Sequence, residues 1–220
     1  MAWVVLETLA SIALVAGSLF AAAGDLRWPM AWALVGAFTA FALVALVVLS
    51  SSLLVERSRL LAEGVRADKV LSIAFAFFLY PGMLVTCGLD RRFAWSPALP
   101  LAVELAALGV FLAGYGFALW AMRINPFFAT VVRIQSDRGH QVIDRGPYRW
   151  VRHPGYAGAL VAHLAIPIAV GTPWGLVPAA VGALLLAARV VAEERTLRRG
   201  LDGYAAYVAR VRWRLLPGLW

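Results

Sequence analysis

Long uninterrupted apolar blocks constrain this chain more than any other feature. Ala2 to Ala23 contains one charged residue, Glu7, and three further blocks of similar length follow before residue 123. A helix crosses the hydrocarbon core of a bilayer in roughly 20 residues. These blocks predict transmembrane helices over Ala2–Ala23, Met30–Val55, Lys69–Leu89 and Pro100–Met122. Composition removes the soluble alternative. Apolar residues make up 62% and charged residues 15%, too little charge to clothe a globular surface of this size. The first block resembles a signal peptide in its Ala-Ala-Ala-Gly end. It carries Glu7, has no basic residue before it and runs long, so it reads as the first membrane helix.

The breaks carry the residues that end a membrane helix. They are Gly24–Pro29, the charged stretch Glu56–Asp68, and Asp90-Arg91-Arg92 leading to Pro97. Trp3, Trp28, Trp32, Trp95 and Trp120 fall near span ends, as in an interfacial aromatic belt. After Met122 the character changes. The segment from Arg123 to Pro154 holds six arginines, with Asp137, His140, Asp144 and His153, and cannot lie in hydrocarbon. A second apolar stretch, Gly155–Val191, is 37 residues long and interrupted by Pro167, Gly171-Thr172-Pro173 and Pro178. As one helix it would measure about 55 Å, far beyond a bilayer core. A helical hairpin turning near Gly171–Trp174 is expected instead. In Glu193–Trp220 the spacing of Leu197, Leu201, Tyr204, Tyr207 and Val208 predicts an amphipathic helix against the bundle or the headgroups.

The expected fold is therefore an all-α, polytopic membrane bundle of four N-terminal helices, a C-terminal hairpin and an amphipathic C-terminal helix. Residues 1–122 form the membrane part. Residues 123–220 form the region of chemistry, divided into a loop at 123–155, a hairpin at 156–191 and a tail at 192–220. The net charge of +8 fits membrane topology rather than nucleic acid. With the N-terminus inside, one side receives Arg57, Arg59, Arg66, Lys69 and the six arginines from Arg123 to Arg152. The other side receives only Arg27, Arg91 and Arg92. That asymmetry predicts a multi-pass protein whose N-terminus and polar last third face the cytoplasm.

Cys87 is the single cysteine, so no intrachain disulfide is available. His140, His153 and His163 lack the spacing of a zinc site. Gly114-Tyr115-Gly116 lacks the third glycine of a dinucleotide fingerprint, and neither a P-loop nor a Gly-x-Ser-x-Gly elbow occurs.

Two constellations hold candidate chemistry. The first runs from Asp144 to Gly158, where Tyr148, Arg149, Arg152, His153 and Tyr156 sit on a backbone stiffened by Pro147 and Pro154. Pro154 suits the first turn of a helix, whose N-terminus beside His153 favours an anion. The second is Arg189, Glu193, Glu194 and Arg198, in which Arg189–Glu193 and Glu194–Arg198 are each i,i+4. Arg189 follows the apolar run Val177–Ala188, and an ionisable group at that depth is a candidate for function.

The strings Gly146-Pro-Tyr-Arg-x-Val-Arg-His-Pro-x-Tyr-x-Gly158, Arg189-x-x-x-Glu193-Glu194-x-x-Leu197 and Gly203-Tyr204-x-x-Tyr207 with a final Leu216-Pro217 resemble the isoprenylcysteine carboxyl methyltransferase-like family. That group of membrane methyltransferases also contains phospholipid methyltransferases. The resemblance covers roughly residues 120–220. It implies S-adenosylmethionine as methyl donor and S-adenosylhomocysteine as product. It places His140, Gly146, Tyr148, Arg152, His153, Pro154, Tyr156 and Glu194 on the donor side, and Arg189 and Glu193 towards a lipophilic acceptor. Membrane sterol and steroid reductases of related architecture, which use a nicotinamide cofactor, are the alternative enzyme class. A lipid-binding protein without catalysis is a third. Nothing in the spans selects an isoprenylcysteine over another lipid, or a carboxylate over an amine.

Overall fold

A computed structural model describes residues 2–58, 66–129 and 133–220. Helix α1 (Ala2–Ala23) leads through a short turn to α2 (Pro29–Val48), which begins on a proline, as a first helical turn allows. The expected second span, Met30–Val55, is divided. Leu49 is extended, and the Ser50 hydroxyl accepts the Leu53 N–H (3.3 Å) to start a separate α3 (Ser51–Ser58). Serines compete for backbone hydrogen bonds and so favour caps over helix interiors. Arg59, counted towards topology, lies outside the described residues.

The third span is built from α4 (Arg66–Phe77), a wide π-turn at Phe78–Gly82 around Pro81, and α5 (Met83–Phe93). Pro81 has no N–H to donate, and the wider turn accommodates it without ending the helix. Asp90-Arg91-Arg92 was expected as a break but forms the last turns of α5. Asp90 is buried there, accepting from the Ser96 N–H and hydroxyl (both 2.8 Å) and from the Trp174 N–H (3.2 Å). Its carboxylate is satisfied locally, so the helix continues to Ala94, the left-handed residue that stops it.

Helix α6 (Leu101–Ile124) follows Pro100. The predicted hairpin is present as α7 (Pro154–Ala169), a turn through Gly171 at φ +72° and a 3₁₀ turn Pro173–Gly175, then α8 (Leu176–Gly200). The amphipathic C-terminal helix is α9 (Tyr204–Arg210), shorter than Glu193–Trp220 because α8 claims residues up to Gly200. Among the described residues, five helices are long and apolar enough to span a membrane, Ala2–Ala23, Pro29–Val48, Val70–Phe93, Leu101–Ile124 and Pro173–Gly200; Pro154–Ala169 is apolar but shorter.

Small residues set the closest approaches. On α6 and α7, Gly114 and Ala118 face Gly158 and Ala162, and a Cβ on Gly114 would meet the Gly158 carbonyl oxygen at 2.7 Å. Gly88 of α5 is as tight against Leu19 and Ala22 of α1. Inside a bilayer, where burial of apolar surface drives little, such backbone proximity supplies dispersion contact. Leu19, Leu34, Met83, Phe111, Ala162 and Val170 centre the apolar core. Trp28, expected in the interfacial belt, is buried instead, its indole N–H on the Val170 carbonyl (3.2 Å). Trp3, Trp32, Trp95 and Trp120 stay exposed.

The lengths of the hairpin helices position the polar end. At 16 residues α7 spans about 24 Å, less than the roughly 30 Å of hydrocarbon. With 25 residues α8 spans about 38 Å and runs past the point where α7 begins. The difference leaves a step at the polar end, where Arg152 and His153 meet Glu194 and the tail.

Candidate functional site

The loop after α6 is shaped by side chains acting on backbone. Asn125 accepts the Phe127 N–H (2.9 Å) and donates to the Tyr148 hydroxyl (3.0 Å). Gln135 is fully buried and donates its amide to the Phe127 carbonyl (2.8 Å). Its own N–H donates to Nδ1 of His140 (3.2 Å), whose ring lies 4.6 Å from that of Phe127. An accepting Nδ1 puts the proton of the neutral imidazole on Nε2. Burial lowers the His140 pKa, with Glu193 opposing and Arg133 and Arg138 adding to the fall. Arg133 reaches Glu56 of α3 (2.9 Å) and Asp137 (3.3 Å), joining the loop to the first half of the chain.

Gly146, at φ +58°, starts a 3₁₀ turn over Gly146–Arg149, and a Cβ there would collide with the Ile124 side chain. The turn buries Tyr148, whose carbonyl accepts the Tyr207 hydroxyl (2.8 Å). Burial raises the Tyr148 phenol well above its ordinary pKa, against the bond from Asn125. Val151–His153 then pairs with the tail, Arg152 N–H to the Trp213 carbonyl and His153 N–H to the Arg214 carbonyl (both 2.9 Å). Pro154 opens α7 in its first turn, as the sequence predicts.

Glu194 lies at the centre of a buried latch. One carboxylate oxygen accepts from Arg152 Nε and lies 3.3 Å from His153 Nε2, and the other accepts from Arg214 Nε at 3.1 Å. Arg152 also donates to the carbonyls of Val211 (2.7 Å) and Arg212 (2.8 Å). Glu194 therefore turns to the loop and tail, not along its helix to Arg198.

On the neighbouring face of α8, the Tyr156 hydroxyl donates to Glu193 Oε2 (2.9 Å) and accepts from Arg189 Nη1. Arg189 is only 1% exposed, with its guanidinium 5.4 Å from the Phe75 ring and 5.3 Å from the Tyr156 ring. Both contacts have cation–π geometry. The His153 and Tyr156 rings stack at 5.8 Å and 11°.

These pieces line an open pocket of about 90 Å³. Of the residues expected from sequence, His140, Tyr148, Arg152, His153, Tyr156 and Glu193 line it. Gly146, Pro154, Arg189 and Glu194 stand behind the wall, shaping the turn, starting α7, contacting Tyr156 and latching the tail. The sequence did not single out Phe127, Phe128, Arg133, Val142, Leu197 or Leu201 as pocket residues, and gave Asn125, Tyr204 and Tyr207 no site role. All line the pocket. Asn125-Pro126-Phe127-Phe128 reads in sequence as a turn closing a span. Its bond to Tyr148 is the signal that only the fold supplies.

Fold and site together define a polytopic helical membrane protein with an open, polar-lined pocket at one end of its bundle. Residues 107–199 match the sequence model of the Isoprenylcysteine carboxyl methyltransferase (ICMT) family. The match contains the Gly146–Gly158 and Arg189–Leu197 strings, so the family resemblance they carry is borne out. The chain is also similar to the Lamin-B receptor of Drosophila melanogaster, 32% identical over 130 residues. That alignment takes in 54% of this chain and 17% of the receptor, so the chain spans under a fifth of that relative's length.

Proposed function

We propose that this chain is an S-adenosylmethionine-dependent methyltransferase of the membrane, acting on a lipophilic acceptor. One observation carries the reading. The loop after α6, the Arg152-His153-Pro154 segment with Tyr156, and α8 with α9 converge on a single pocket next to the buried Arg189–Tyr156–Glu193 chain. The pocket suits a donor that combines an amino acid, a sulfonium and a nucleoside. Arg133 and Arg152 offer positive charge, Leu197 and Leu201 offer apolar wall, and the buried Tyr204 hydroxyl has no hydrogen-bond partner among the described residues.

When bound, the donor supplies an activated methyl group on a sulfonium, transferred by in-line displacement. The protein's contribution is alignment and exclusion of water. Tyr148, Arg152 and His153, with Phe127, His140 and Val142, would hold the donor. Arg189, fixed by Phe75 and Tyr156, orients a carboxylate acceptor. For an amine acceptor, Glu193 positions the nitrogen and takes up its proton. The arginine bias supports a cytoplasmic position for this end of the bundle, where a soluble donor arrives, while the acceptor enters from the bilayer.

The test is direct. The detergent-purified protein is expected to bind S-adenosylhomocysteine in calorimetry and to transfer radiolabel from S-adenosylmethionine to a component of a whole-lipid extract. Absence of binding to either adenosyl compound, with a thermal shift from NADPH, would move the protein to the reductase class.

A further inference from the structure

Among the described residues, Tyr204 is the one pocket-lining residue whose polar atom is both buried and without a hydrogen-bond partner. The residue is 4% exposed. A buried hydroxyl left unsatisfied is costly, so such a group in a native site calls for a partner that completes it. Its neighbour Tyr207 shows the contrast. It lines the same pocket, yet its hydroxyl is spent on the Tyr148 carbonyl at 2.8 Å.

We propose that the Tyr204 hydroxyl donates a hydrogen bond to an uncharged acceptor on the adenosine portion of the methyl donor, making α9 a nucleoside-recognition element. This rests on the methyl-donor reading of the pocket. Two observations select the adenosine end. First, burial together with the nearby Glu194 and Glu193 carboxylates raises the Tyr204 phenol well above its ordinary pKa. The group stays protonated and donates. Those carboxylates also disfavour a further negative charge beside it, which argues against the donor's own carboxylate. Arg152 opposes them, but its guanidinium is already engaged by Glu194 and two tail carbonyls. Second, Tyr204 belongs to an apolar cluster with Leu201, Tyr207, Leu197 and Val142, four residues that also line the pocket. A flat heterocycle with ring acceptors matches that wall, whereas a zwitterionic amino-acid group does not.

Binding of S-adenosylhomocysteine and of 5′-methylthioadenosine, which lacks the amino-acid carboxylate, separates the alternatives. Measurements compare the wild type with Tyr204→Phe and Tyr207→Phe. Tyr204→Phe is expected to leave the ligand-free melting temperature unchanged or raised, since it deletes an unpartnered group. It should weaken both ligands by about tenfold, the effect of one hydrogen bond. Tyr207→Phe should lower the ligand-free melting temperature, because the Tyr148 carbonyl loses its donor. Wild-type affinity for both ligands in Tyr204→Phe would overturn the assignment, as would a loss confined to S-adenosylhomocysteine, which would place the contact at the amino-acid end. A wild-type protein that binds neither compound would remove the methyl-donor reading, and this assignment with it.

Discussion

On one side of α8, Glu194 is 3% exposed and contacts Arg152, His153 and Arg214. One residue earlier and about 100° around the helix, Glu193 lines the pocket and accepts from Tyr156, which in turn accepts from the buried Arg189. The two carboxylates share a helix turn and a motif, yet they serve different regions. Glu194 fastens the 145–153 loop and the tail to the hairpin, while Glu193 presents charge to whatever occupies the pocket. The lesson concerns motifs. A residue that recurs in a site's signature can act by building the wall, leaving contact with the ligand to its neighbour.

The largest expected effect breaks the latch. Glu194→Ala leaves the Arg152 guanidinium buried without its carboxylate, a loss of about 3–5 kcal/mol. It should lower the melting temperature in detergent and abolish donor binding as the tail detaches. A variant that melts as wild type but fails to bind donor would place Glu194 in contact with ligand and erase the distinction. Next comes the pocket side. Glu193→Gln and Arg189→Ala should each reduce turnover by about 100-fold or more, with S-adenosylhomocysteine affinity within about threefold of wild type. A loss of donor affinity equal to that of Glu194→Ala would show one site with no division of labour. The smallest effect is a pH dependence. The folded pKa of His140 lies below its ordinary 6.5 because burial disfavours the charged ring. The unfolded chain therefore takes up its proton first on acidification, and stability falls as pH drops below about 6.5, levelling once the folded pKa is passed. His140→Gln should flatten that part of a melting-temperature profile between about pH 7 and 5; an unchanged slope would assign it to other groups.

Much of the molecule was legible before any coordinates. Ala2–Ala23 is a helix with the bounds its apolar run predicts, and the hairpin turns where Gly171-Thr172-Pro173 interrupts the long apolar stretch. Hydropathy and proline placement act locally, so the sequence displays them directly. The boundaries that moved did so for tertiary or capping reasons. Asp90 stayed helical because Ser96 and Trp174 satisfy it, and α2 ended early because Ser50 caps a new helix. Trp28 looked like a belt residue until Val170, 142 positions away, supplied its acceptor.

The site divides along the same line. The chemical character of Arg152-His153-Pro154, Arg189 and Glu193-Glu194, and the family resemblance they carry, were legible in the sequence. Which of those side chains reaches the pocket, which holds the wall, and that Tyr204 lies buried without a partner among the described residues were decided only when α7, α8 and the tail packed together. Helical phase separates Glu193 from Glu194 by a rotation that sequence can count. The partners each rotation meets are set by long-range packing, which no local pattern encodes.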